Sequence, residues 1–152
     1  MGSLNSYFAI AENDYLYAKN GLEFCKGQGN YNPVVAGCAQ AGEKYLKAVL
    51  EHYFTEDEDA EKLMSSHNLR SILNKLKEVC EIAVESKDCK WLGDFYFDTR
   101  YPGDNFTITK EEDATEAIRI LELIRAEAAR LLTEVKEQKQ TGAAVLQTLK
   151  CF

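Results

Sequence analysis

The sequence predicts an all-α protein, an up-and-down helical bundle of four long helices plus a short aromatic-rich one, and three observations carry that expectation. Long segments place apolar residues at alternating spacings of three and four, the period of one helix face. Ala, Leu, Glu and Lys, which lose little rotamer freedom in a helix, are plentiful. Only 2 prolines and 9 glycines interrupt 152 residues, and a hydrophobic content of 45% suits one packed core rather than two.

The first helix is expected over about Ser3 to Lys26, with Phe8, Ala11, Tyr15, Ala18, Leu22 and Cys25 along one face. Turn residues from Gly27 to Asn32 break it. Pro33 suits the first turn of a second helix, where its missing N–H is not needed, and that helix should run to about Phe54. It carries two adjacent apolar stripes, so it belongs at the centre of the bundle, with Gln40, Glu43, Lys44, Lys47 and Glu51 as its polar edge. Gly37, Ala39, Ala41 and Gly42 on it would let neighbouring backbones approach closely.

The acidic stretch Glu56 to Asp59 reads as an exposed connection, with a short helical turn over Ala60 to Met64. Ser66 or Asn68 would cap a third helix bearing Leu69, Ile72, Leu73, Leu76, Val79 and Ala83. Cys89 to Asp98, with Trp91, Phe95, Tyr96 and Phe97, forms a short helix that stops before Pro102-Gly103. Thr109 and Glu112 form a capping box for the last helix, whose register is Ala114, Ala117, Leu121, Ile124, Ala128, Leu131 and Val135. Residues 1–138 are thus the bundle, and 139–152 a tail that is disordered or docks on this chain or a partner.

Composition excludes some classes of function. A net charge of -7 argues against a broad electrostatic surface for nucleic acid, so any phosphate contact must be local. The cysteines, Cys25, Cys38, Cys80, Cys89 and Cys151, show no C-x-x-C pair, and neither a disulfide framework nor a zinc site is indicated. No metal and no cofactor is expected. No run reaches the roughly 20 apolar residues that span a bilayer, and no basic stretch leads into an apolar one near the start. A cytoplasmic protein without a membrane partner is the simplest expectation. Met1 to Ser6 fits the myristoylation pattern formally, on little information.

Four elements carry a resemblance to a known family. Ala11, Asp14 and Ala18 share one helix; Cys38-Ala39-Gln40-Ala41-Gly42-Glu43-Lys44-Tyr45-Leu46-Lys47-Ala48 is a small-residue run leading into E-K-x-L-K-A; His67-Asn68-Leu69 opens the third helix; and Tyr96, Arg100, Tyr101 and Pro102 form a Y-x-x-x-R-Y-P element. In this order they resemble the HEPN family of helical bundles, over roughly residues 11 to 135. The resemblance implies nucleotide or RNA biology, a homodimer, and, in some members, a separately encoded minimal nucleotidyltransferase partner in toxin and antitoxin pairs. Nuclease members carry a histidine four to six residues after the arginine. Here Tyr101 to Thr107 holds none.

Metal-free RNA cleavage needs a proton acceptor, and a guanidinium cannot serve at ordinary pH. A non-catalytic nucleotide- or RNA-associated binding module is therefore the leading expectation, with no catalytic residue assigned. A ribonuclease with a rearranged site, using Arg100 with His67 or Asp104, is the first alternative, and a purely structural dimerisation scaffold the second. Arg100, Tyr101, Lys44, Lys47, Asp104 and His67 are the candidate ligand and phosphate residues, with Asp14 as a structural anchor. Each has a plainer reading: Arg100 paired with Asp14, Asp98 or Asp104, the lysines with Glu43 and Glu51, His67 as a cap, and the tyrosines packed against Trp91 and Phe95.

Overall fold

In the computed structural model, residues 5–150 are described, with side chains through Glu134 except that of Phe97. The Met1 to Ser6 pattern lies partly outside them. The placement of Val135 in the last helix register and the docking of the tail also lie outside the described side chains.

Local signals set the first elements. Ser6 accepts the amide of Ala9 and starts α1 (Tyr7–Cys25). The chain then reverses through Gly27 and Gly29, at φ of 83° and 80°, a region that side chains with a Cβ rarely enter. Next comes α2 (Asn32–Tyr53), with Pro33 in its first turn. As the double stripe predicts, α2 is central and packs against every other helix. At Gly42 an added Cβ would lie 3.3 Å from Ile124 Cδ1 and 3.7 Å from Leu69 Cδ2, so the missing side chain sets how closely two neighbours approach.

Asp57 caps α3 (Glu58–Met64), and Asn68 caps α4 (Leu69–Leu76) by accepting the Ser71 amide. The helix expected to reach Ala83 stops at Leu76. Beyond it the chain is irregular; Ile82 and Val84 are buried while Glu81, Ala83 and Glu85 are exposed. That alternation is the period of an extended segment. Two bonds to the last helix hold it: Glu127 accepts the Ala83 amide at 2.7 Å, and Arg130 donates to the Glu81 carbonyl at 2.8 Å.

Then α5 (Ser86–Asp98) begins three residues before the expected start, and α6 (Glu111–Lys150) continues past residue 138. The Thr109 and Glu112 capping box does not form. Thr109 is buried and bonded elsewhere, and Asp113 accepts the Lys110 amide at 2.9 Å, the reciprocal half of a box shifted by one residue. The described residues therefore form six helices and no strand. Three helices are tied at one point: Arg125 on α6 grips Glu12 on α1 with two bonds of 2.7 and 3.1 Å, and the buried Tyr45 hydroxyl on α2 donates to Glu12 at 2.6 Å.

Candidate functional site

The site is built on the end of the bundle where α5 gives way to residues 99–110. Its fixed point is Asn32, 5% exposed at the first position of α2. Its amide nitrogen donates to the carbonyls of Thr99 (3.3 Å) and Thr107 (2.8 Å), and its oxygen accepts from the Thr109 amide (2.7 Å) and hydroxyl (2.9 Å). One side chain therefore closes both ends of the connection. Thr99 turns its hydroxyl back on the Phe95 carbonyl at 2.6 Å. Arg100 leaves from this clamped point into solvent.

The Arg100 guanidinium lies over the Tyr96 ring, 4.9 Å from its centroid. The spacing of four residues near the end of α5 brings ring and cation onto one face. Arg100 forms no ion pair among the described residues, although Asp14, Asp98 and Asp104 were its expected partners. Asp14 is instead held by Lys44 at 2.5 Å, an ion pair that joins α1 to α2.

The same Tyr96 ring stacks on His67, with centroids 4.7 Å apart and planes 14° from parallel. Imidazole and guanidinium are thus no further apart than those two distances together, and no hydrogen bond joins them among the described residues. His67 Nδ1 sits 2.8 Å from Glu43 Oε1, which also accepts from Lys47 Nζ at 2.7 Å. With a carboxylate as acceptor the proton belongs on Nδ1, leaving Nε2 of a neutral ring as an acceptor. Glu43 and Lys47 are buried, while His67 is half exposed.

The expected residues are therefore only partly brought together. Arg100 and His67 meet on Tyr96; Tyr101 and Asp104 are exposed on the connection beside them. Lys47 turns inward to Glu43, and Lys44 belongs to the α1–α2 ion pair. Sequence reasoning did not assign Asn32 or Glu43 to the site, nor Gln40 and Phe106, which with Arg100 line a hollow of about 450 Å³. In the sequence Asn32 reads as the last of the turn residues before the helix that Pro33 opens, but a clamp on residues 99–109 has no local signature.

Cys38 and Cys89 are fully buried, and that burial pushes their thiols up to about 12, away from the reactive thiolate form. Among the described residues no group of three or more His, Cys, Asp or Glu is arranged to hold a metal ion. No helix there is long and apolar enough to cross a membrane.

The family model described as the HEPN domain matches residues 4–132. No curated protein and no solved structure matches the chain. The match spans most of an all-helical chain that also carries the small-residue central helix and the arginine turn, and the protein belongs to the HEPN domain family.

Proposed function

We propose that this HEPN domain is a non-catalytic binding module that takes a phosphate of a nucleotide or of RNA on Arg100. Membership of the family associates it with nucleotide- and RNA-related function in general. The single observation that carries the finer reading is the state of Arg100: exposed, unpaired among the described residues and oriented by the Tyr96 ring. Arg119, Arg125 and Arg130 each hold a carboxylate, and Arg70, also exposed and without an ion pair among the described residues, has no aromatic ring to orient it there. A planar guanidinium with its donors free makes paired, charge-assisted bonds to phosphate. The module is non-catalytic in this reading because Arg100 cannot move protons and no histidine follows it as far as Thr107.

The reading includes a homodimer, in line with a family whose domains often dimerise, and a minimal nucleotidyltransferase as protein partner in a toxin–antitoxin setting. A cytoplasmic location agrees with the free cysteines Cys25, Cys38, Cys80 and Cys89. Calorimetric titration with AMP, ATP and a short RNA tests the core of it. Binding of at least one of them, weakened about tenfold or more by Arg100→Ala, is expected. No heat with any of them, or equal affinity after the substitution, removes the proposal.

A second reading, a metal-independent endoribonuclease, is favoured by one observation: Glu43 orients His67, and His67 shares the Tyr96 ring with Arg100. Nε2 would accept the 2′-hydroxyl proton as the 2′-oxygen attacks phosphorus, the P–O5′ bond would break with the leaving 5′-oxygen protonated by the imidazolium or by water, and Arg100 would neutralise the phosphate. Incubation with RNA in chelator decides it, since intact RNA counts against cleavage and a loss of cleavage in His67→Ala supports it.

A further inference from the structure

Helix α1 shows solvent a largely apolar side. Four of the eight large apolar side chains exposed among the described residues lie on it: Ile10, Leu16, Tyr17 at 73% and Phe24 at 79%. Ile10, Asn13, Tyr17, Asn20 and Phe24 follow spacings of three and four, so they form one stripe, opposite the buried face of Ala11, Tyr15, Ala18 and Cys25. An apolar stripe facing water marks a surface that something covers.

Charge sets this stripe apart from α3 and α5, whose described exposed positions are all charged: Glu58, Asp59, Glu61 and Lys62 on the first, Lys87, Lys90 and Asp94 on the second. The stripe itself holds no charge. The four charges of α1 are each paired within the chain, Glu12 with Arg125, Asp14 with Lys44, Lys19 with Glu122 and Glu23 with Lys26. Two chains of net charge -7 repel each other, and a side without free charge is one along which they can approach. Shape adds to this. Helices α1 and α2 pass closely where Gly21 and Gly37 lack side chains, a Cβ at Gly21 lying 3.2 Å from Val34 Cγ2 and one at Gly37 3.7 Å from Ala18 Cβ, and a hollow of about 250 Å³ opens there beside Tyr17. A projecting ring and a hollow thus stand side by side on one patch, as a self-complementary contact requires.

We infer that two copies of this chain pair through α1, the two helices antiparallel about a two-fold axis at Tyr17. The order of the stripe, apolar, Asn, Tyr, Asn, apolar, reads the same in both directions. A partner of another sequence would need no such symmetry. Ile10 of one copy therefore meets Phe24 of the other, Asn13 meets Asn20, and each Tyr17 ring passes its twin into the hollow beside it. Asn amides carry donors and acceptors together, so the Asn13–Asn20 contacts pair and fix the register within an apolar seam. The inference rests on the homodimer reading and adds its face and register; the Arg100 reading does not depend on it.

Sedimentation of the full chain over about 1 to 100 µM should show a dimer, and Tyr17→Glu or Phe24→Glu, at exposed positions that the core does not use, should weaken it about tenfold or more. Helical circular dichroism equal to that of the parent shows that each variant folds. Register has its own test. Asn13→Lys combined with Asn20→Lys should give a monomer, whereas Asn13→Lys combined with Asn20→Asp should still pair, because each lysine then faces an aspartate of the other copy. A parent dimer that both glutamate variants leave intact, or two double variants that behave alike, overturns the inference while the homodimer reading stands. A parent chain that is monomeric throughout removes both and leaves the stripe to another protein.

Discussion

Asn32 positions Arg100 without touching it. Truncation in Asn32→Ala leaves the Thr109 amide and hydroxyl and the Thr99 carbonyl without their partner in a buried place, and frees the Thr107 carbonyl at its edge. Unfolding in urea should show a loss of about 3 kcal/mol, and a loss below about 1 kcal/mol would mean the clamp is incidental. Glu43 is the second sensitive residue. Its removal strands the Lys47 ammonium, 5% exposed, without a carboxylate, so Glu43→Ala should destabilise by about 3–5 kcal/mol. Replacing both residues by Met should restore most of that, because no buried charge then remains; a double variant as unstable as the single one would refute this. The i,i+4 spacing made the Glu43–Lys47 pair legible in sequence. Its burial was not, because the periodicity of one helix does not report how far its neighbours wrap around it.

At the scale of elements, α2 explains why the bundle is tight. Gly42→Leu pushes against Ile124 and Leu69 and should destabilise by about 1–3 kcal/mol in denaturant unfolding, whereas Gly42→Ala, whose gain in helix propensity offsets the 3.3 Å contact, should change stability by less than about 1 kcal/mol. Equal effects would show that this face has room to spare. The strong periodic elements were legible: Ala11, Tyr15, Ala18 and Cys25 are buried on α1 as their spacing predicts, and both stripes of α2 are inside. Val79 misled because residues 69, 72, 73, 76 and 79 continue a helical period across a point where the chain straightens, and Val79 is 51% exposed. The Ile82 and Val84 alternation was the competing signal. The capping box slipped by one because Thr109 is consumed by Asn32, a partner 77 residues away.

Across the whole molecule, α1, α2 and α6 converge on Glu12. The Arg125 guanidinium beside it, and the Tyr45 hydroxyl after that, hold its carboxyl below the usual glutamate range despite burial. A depressed folded pKa contributes stability that is present above the unfolded value of about 4.3 and lost as pH falls through the folded one. Glu12→Gln should therefore melt lower than the parent at pH 7, and the gap should shrink at pH 3; a gap independent of pH would contradict the assignment. The family elements make physical sense at this scale. Tyr96 and Arg100 are four apart so that ring and cation meet, and His67 opens α4 where it can stack on the same ring. That convergence of α4 and α5 was illegible because it depends on packing, whereas the missing histidine after Arg100 could be read directly. The central claim is that Arg100 neutralises an RNA phosphate. The most direct measurement is the salt dependence of single-stranded RNA binding by the parent and Arg100→Ala. The account predicts weaker binding and a log–log slope shallower by about 0.7 in the variant; identical affinity and slope in both would contradict it.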